Sequence, residues 1–286
     1  MKQMFIAAAA VLLFAGAAAA QLNLPRESQR QEISQVVGDA KFTIVYHRPN
    51  IKARKVWGGL VPYGEVWRSG ANENTTIEFS RDVTINGQGL PAGKYGFHTL
   101  PTEGSWILIF SKVNDAWGSF TYDAKNDALR VTVKPEASPI NRETLAYEFD
   151  DVTNDSAKVV LSWEKVRVPF TVGIGDVQGR MVAQIKEAIA ARTADDVRPL
   201  NQGAGYVFTY KVKPEYEAAL GWLDTSLSEK KAFGTLVTKA RLLAEMGRTA
   251  DAIKVGEEAI AFGKAQTPAV QTGDIEKFVT EWKAKK

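Results

Sequence analysis

The residues best suited to ligand chemistry are concentrated in one stretch of the chain, positions 48 to 73. Arginine side chains there can pair with a carboxylate or a phosphate through the guanidinium fork, and large aromatic side chains can stack on a sugar or an apolar ligand. Loops longer than about 15 residues are uncommon unless they bind something or are packed down. With one histidine from further along the chain, the candidate ligand-binding residues are Arg48, Arg54, Trp57, Tyr63, Trp67, Arg68, Asn72 and His98.

The same stretch also allows a structural interpretation. Trp57, Tyr63 and Trp67 could close the open end of a β-sheet core, and Arg68 could donate to loop carbonyls instead of to a ligand. A guanidinium that satisfies buried carbonyls would be needed for stability, whereas one that serves a ligand would not. Both interpretations stay open from the sequence.

Acid–base catalysis is the alternative to binding. Glu65, Glu73 and His98 could act as acid or base in a hydrolase for glycans or peptides. The chain has two histidines, His47 and His98, without the short paired spacing of a metal site, and it has no nucleophile elbow, P-loop or EF-hand loop. We therefore expect no metal and no cofactor, assign no catalytic residue, and favour a non-catalytic role.

Short runs of Val, Ile, Thr and aromatic residues must position these side chains. Between residues 33 and 172 such runs alternate with clusters of Gly, Pro, Asn and Asp, a pattern typical of antiparallel strands. About ten strands without intervening helices predict a β-sandwich over residues 33–172. The turn signals at Asn86-Gly87 and at Leu90–Gly93 support this prediction.

The second half of the chain changes to the helical period of 3.6 residues, after a predicted linker at residues 173–179. We expect an α-helical domain over residues 180–286. Leu236, Ala240, Gly247, Ala252 and Ala259 have the spacing of a tetratricopeptide-like repeat at about residues 232–265, and a weaker copy spans about residues 200–231. The predicted fold class is thus multidomain, an antiparallel β-sandwich followed by an all-α, tetratricopeptide-like domain.

The N-terminus indicates an exported protein. Lys2 precedes an apolar run from Met4 to Ala20 that ends in small residues, as in a signal peptide over residues 1–20. We expect a flexible mature N-terminus at residues 21–32, a periplasmic or secreted location, and no membrane span after signal removal. The absence of cysteine excludes disulfides, and a scattered net charge of +3 argues against nucleic acid as a partner.

The sheet half resembles domain-of-unknown-function family 2911, found mainly in exported bacterial proteins. The resemblance covers roughly residues 30 to 172 and includes WGGLVPYGEVWRSGAN at residues 57–72, LPAGKY at 90–95, FHTLP at 97–101, Trp117-Gly118 and LSWE at 161–164. It implies no settled activity. His47 departs from the small residue expected before Arg48-Pro49, which argues against a catalytic role for it.

Together these observations favour an exported, non-catalytic binding or scaffolding protein. A small ligand is expected on the sandwich loops and a protein partner on the helical half. The alternative function is a periplasmic hydrolase that acts on glycans or peptides with the Glu and His residues named above.

Overall fold

The structure is a computed structural model that describes residues 24–284 of the 286-residue chain. The expected signal peptide, residues 1–20, lies outside the described residues. The chain divides into two compact units. The first contains Lys41–Asp150, Lys158–Thr171 and the residues before Val36, and the second contains Val36–Ala40, Asp151–Ala157 and the residues from Val172 onward.

The sheet part of the chain forms two antiparallel sheets, because branched and aromatic side chains pack well on a pleated surface. The strands of the described residues are β1 (Gln29–Val37), β2 (Ala40–Arg48), β3 (Thr76–Phe79), β4 (Val83–Ile85), β5 (Gln88–Leu90), β6 (Gly93–Pro101), β7 (Trp106–Ser111), β8 (Asp127–Val133), β9 (Glu136–Asp150) and β10 (Ser156–Gly173). One sheet has the order β1-β2-β3-β6-β7-β8, and the other has the order β5-β4-β10-β9.

Aromatic side chains from both sheets form the core. The ring of Phe97 on β6 stacks on that of Phe170 on β10, with centroids 5.8 Å apart. Tyr46 on β2 lies edge-on to Tyr147 on β9 at 4.7 Å, and the Tyr147 backbone N–H donates to the Tyr46 hydroxyl at 3.0 Å. The prediction of antiparallel sheets in this half is confirmed.

Two strands extend further than the sequence pattern indicates. The structure joins the strands predicted at residues 157–163 and 167–172 into β10, which stays paired with β9 through register shifts on either side of Glu164. Glu164 has a φ of +52°, the left-handed conformation that often accompanies such an irregularity. β1 begins at Gln29, inside the segment expected to be flexible, where Gln31 accepts a hydrogen bond from the Tyr46 hydroxyl.

Helices make up most of the second unit, as the change of period predicts. In the described residues they are α1 (Val177–Ala190), α2 (Arg198–Thr209), α3 (Tyr216–Glu229), α4 (Phe233–Glu245), α5 (Thr249–Lys264) and α6 (Gly273–Ala284). Gly247 lies between α4 and α5 with a φ of +77°, and its N–H donates to the Ala244 carbonyl. A left-handed glycine of this kind is a common helix stop. Among the described residues, no helix is long and apolar enough to cross a membrane.

Small residues bring the helices of this unit close together. A Cβ atom added to Gly256 of α5 would lie 2.4 Å from Val279 of α6. Asp176 caps the start of α1 by accepting from the Gly179 N–H at 2.8 Å. In the same unit, Arg180 donates to Asp39 through Nε at 3.3 Å and Nη2 at 3.0 Å, a contact between residues 141 positions apart.

Candidate functional site

The loop between β2 and β3, residues 49 to 75, is held against the sheets by main-chain hydrogen bonds. Trp67 and Thr99 exchange two such bonds, at 2.8 and 2.9 Å, which add a short bridge to β6. The Gly64 N–H donates to the Pro101 carbonyl, and the Ala71 N–H donates to the His47 carbonyl. The loop is therefore an ordered frame for the side chains that it carries.

Trp57 and Trp67, two of the aromatic ligand candidates, pack into a cluster of four tryptophans. Trp57 is buried and lies 4.7 Å from Trp106 and 5.8 Å from Trp163, between ring centroids. Trp67 is half-buried and stacks on Trp163 at 5.9 Å. Tyr63 is 40% exposed and is the one aromatic ligand candidate of this loop that presents a largely open ring.

Arg48 and Arg54, two of the arginine candidates, hold backbone carbonyls. Arg48 Nε donates to the Leu145 carbonyl at 2.9 Å. Arg54 donates to the carbonyls of Ile51 and Asn50 at 2.9 and 2.6 Å. These guanidinium groups fix the start of the loop, the role that the sequence left open for Arg68.

Arg68 has a different environment. Its Nε is buried without a hydrogen-bond partner, and within residues 24–284 no carboxylate pairs with its guanidinium. Burial lowers the pKa of this guanidinium. The group lies 6.0 Å from the ring centroid of Phe120, which is 83% exposed. Arg68 is thus a partly desolvated cation beside an open aromatic ring.

Gly118 allows the following loop to approach Arg68. It has a φ of +72°, and an added Cβ would lie 2.5 Å from Arg68 Nη1. Trp117, beside it in sequence, is 55% exposed, and the guanidinium of Arg26 lies 5.5 Å from its ring centroid. We call Arg26, Arg68, Trp117 and Phe120 the arginine–aromatic surface.

A polar cleft of about 850 Å³ adjoins Trp117 through the neighbouring residue Ala116. His47 and Glu73 lie in it, with 3.3 Å between His47 Nε2 and Glu73 Oε2. Burial lowers the pKa of His47. For Glu73, burial raises the pKa, but the hydrogen bond from Arg26 and other contacts outweigh it, so the net pKa is lowered. The carboxylate is therefore held in its charged form.

Other residues of the cleft are polar or basic. Asn74 is buried, donates to the Phe97 carbonyl at 3.0 Å and leaves its Oδ1 without a partner. Arg30, Lys94 and Asn114 also line the cleft. Asn72 lies close by in sequence with a φ of +57°, and its Nδ2 donates to the Ser28 carbonyl at 3.2 Å.

His98 lies under the loop that follows β7. It is buried, and its Nδ1 is 2.9 Å from the Ser119 hydroxyl. Burial lowers the pKa of His98 to about 4, against an opposing effect of Asp127. His98 and Arg68 therefore both contact residues 118 to 120, whereas Arg48 and Arg54 bond carbonyls of the chain.

The sequence reasoning missed Arg26, Trp117 and Phe120 as site residues. Trp117 was named only as part of the family resemblance, and Arg26 lies in the segment that was expected to be flexible. Three aromatic residues within a short polar stretch between strands β7 and β8, Trp117, Phe120 and Tyr122, were the available signal. No group of three His, Asp or Glu residues in the described part of the chain is arranged to hold a metal ion.

A protein-family model described as protein of unknown function (DUF2911) matches residues 28–172. This match covers about half of the chain and includes most of the polar cleft and most of the arginine–aromatic surface. Neither the curated proteins nor the solved structures contain a match to the chain.

Proposed function

We propose that this chain, which belongs to the DUF2911 family of unknown function, is an exported, non-catalytic binding protein. Its sheet half, a β-sandwich, would bind a small ligand, and its helical half would hold a protein partner. The apolar run from Met4 to Ala20, which ends in small residues, supports export to the periplasm or the exterior.

The ligand of the sheet half is an anion that carries a ring with a face that can stack on an aromatic side chain. Arg68 supports this proposal, because its partly desolvated guanidinium has no carboxylate partner in the described part of the chain. Bringing a charge out of water is costly unless a counter-charge compensates it. The exposed ring of Phe120 offers a stacking surface beside that charge. A carboxylated sugar or an aromatic acid combines both features.

The helical half contributes a groove of about 520 Å³. Leu220, Leu243 and Val255 give it apolar side chains, and charged residues of both signs such as Asp224 and Lys254 surround them. The helix pairs α2–α3 and α4–α5 lie in the two segments that the sequence predicts to be tetratricopeptide-like, and repeats of that kind present grooves to protein partners. The second part of the proposal is that a protein partner binds in this groove.

The pair of His47 and Glu73 is the observation that favours the alternative, a hydrolase for glycans or peptides. Two features weigh against it. Arg26 is hydrogen-bonded to both oxygens of Glu73, which makes the carboxylate a weaker base. His98 stays neutral beside Ser119, and no glutamate is bonded to it among the described residues.

Titration with glucuronate and with benzoate, followed by NMR, tests the anion site. We expect at least one of these acids to bind the parent protein and Arg68→Gln to weaken it about tenfold or more, since a charged hydrogen bond contributes about 1.5–3 kcal/mol. Phe120→Ala should weaken binding of the same acid, and Arg142→Gln, whose guanidinium pairs with Glu148, is the matched control that should bind it as the parent does.

The melting temperature separates a binding role of Arg68 from a structural one. Arg68→Gln should melt close to the parent, because its guanidinium holds no carbonyl among the described residues. Equal binding of the acids by the parent and Arg68→Gln, or no binding by the parent, would contradict the anion site.

A further inference from the structure

The Arg26 side chain occupies a small site of its own beside the anion site. Its Nη1 lies 2.5 Å from Glu73 Oε1 and 2.6 Å from Oε2, so one nitrogen donates to both carboxylate oxygens. The guanidinium also lies 5.5 Å from the ring centroid of Trp117. A planar cation held between a carboxylate and an indole ring is a typical arrangement for guanidinium recognition.

The two walls of this site are fixed without any contribution from Arg26. Glu73 and Trp117 are opposite each other in an antiparallel bridge, and the Asn74 N–H donates to the Ala116 carbonyl at 3.0 Å. His47 Nε2 lies 3.3 Å from Glu73 Oε2 and contacts the carboxylate independently of Arg26. The backbone that carries the carboxylate and the ring is therefore positioned without Arg26.

Arg26, in contrast, belongs to a segment that precedes the first strand. Residues 24 to 27 are exposed, and β1 begins at Gln29. Side-chain contacts attach this segment to the loop after β2: Glu27 pairs with Lys52, and Asn72 donates to the Ser28 carbonyl. Exposed ion pairs contribute little stability, about 1 kcal/mol or less, so the segment can leave while the walls stay in place.

We propose that Glu73 and Trp117 form a receptor for the arginine side chain of a peptide, and that Arg26 occupies it in cis. Arginine fits better than lysine, because its planar group can stack on the indole ring and donate to the carboxylate together. Arg30 and Lys94, which line the adjoining cleft, favour an acidic residue next to that arginine. This receptor does not depend on the anion site at Arg68.

Titration with N-acetyl-argininamide, followed by NMR, tests the receptor. A tethered group competes at an effective concentration in the millimolar range, so removal of Arg26 should strengthen binding of this probe about tenfold. We expect this gain in Arg26→Ala and not in Arg142→Ala, a matched control whose guanidinium pairs with Glu148 outside the cleft. N-acetyl-citrullinamide, which has the same shape without the charge, should not bind Arg26→Ala.

The double variant Arg26→Ala/Glu73→Gln should lose the gained affinity while keeping the melting temperature of Arg26→Ala. Arg68→Gln should leave the argininamide titration unchanged, which separates this receptor from the anion site. Equal argininamide binding by the parent and Arg26→Ala, including no binding by either, would overturn the receptor. Binding of the citrulline compound as strongly as the arginine compound would also overturn it, as would unchanged binding in the double variant.

Discussion

Desolvation without a counter-charge distinguishes Arg68 from the other arginines of its loop. Arg48 and Arg54 each gain charged hydrogen bonds to carbonyls, which compensate for partial burial. Arg68 lies beside the aromatic ring of Phe120 and keeps a buried Nε without a partner. Such an arrangement reduces stability slightly in the free protein, and a bound anion would restore it.

Stability between pH 7 and pH 5 should depend on His98. Its pKa is lowered to about 4 in the folded protein from 6.5, so the unfolded chain binds a proton in this range that the folded chain does not. Stability is therefore fully present above about pH 6.5 and falls as the pH drops toward 4, by about 2 kcal/mol at pH 5. Urea unfolding at pH 7 and pH 5 measures this loss.

His98→Gln should lose less stability between these two pH values than the parent. Gln can still bond the Ser119 hydroxyl but cannot take up a proton. His47 has a pKa that burial also lowers, so some loss remains until His47→Gln is added. An identical loss in the parent and His98→Gln would show that His98 does not titrate as its burial implies.

The sequence indicates which residue types are available for the candidate site, but not which groups each side chain contacts. Nothing in the sequence around Arg48, Arg54 and Arg68 separates their roles. Their different environments depend on tertiary contacts, such as the hydrogen bond from Arg48 to the Leu145 carbonyl, 97 positions away. Trp57 was proposed both as a ligand platform and as a core residue, and only its neighbours Trp106 and Trp163 distinguish the two. Pattern analysis of one chain has no access to such long-range partners.

At the scale of elements, the candidate site depends on two loops, one after β2 and one after β7. Connections of this length often have no regular structure. The backbones of these two loops nevertheless pair with each other, as in the bridge between Glu73 and Trp117. Together they carry Arg68, Trp117 and Phe120 of the arginine–aromatic surface. The sequence indicated the first loop through its density of Arg and Trp, and the second only faintly.

Two helix glycines should respond to alanine with opposite signs. Gly221 in α3 has open space around it, so Gly221→Ala should stabilise the protein by about 0.5–1 kcal/mol through helix propensity. An added Cβ at Gly256 in α5 would meet Val279 at 2.4 Å, and overpacking of this kind costs about 1–3 kcal/mol. Thermal unfolding of both variants measures the signs, and stabilisation by Gly256→Ala would show that α5 and α6 can separate without cost.

At the scale of the whole molecule, the order of sheets then helices follows from the change of hydrophobic period and is confirmed. The sequence predicts a single division of the chain. It placed one boundary near residues 173–179, whereas the second unit also takes in Val36–Ala40 and Asp151–Ala157. Local periodicity predicts elements, but the assignment of turns to a unit depends on contacts between residues far apart in the chain.

The contact between Arg180 and Asp39 should form late in folding. Closing a loop of 141 residues costs about 4 kcal/mol of chain entropy. Arg180→Gln should therefore leave the refolding rate unchanged and raise the unfolding rate about fivefold, the equivalent of about 1 kcal/mol. Stopped-flow measurements compare it with Arg248→Gln, whose partner Asp251 is three residues away. Slower refolding of Arg180→Gln would mean that the contact is present in the transition state.

The 141 positions between Asp39 and Arg180 also matter while the chain is being synthesised on the ribosome. Asp39 is made first, and the chain must grow by 141 residues before Arg180 is made, which takes about 10 s or more at typical rates of synthesis. Throughout that interval the turn at residues 36–40 exists without the helix that later contacts it. The nascent chain must therefore keep this turn accessible until its helical partner has been made, so the second unit is completed only late in synthesis.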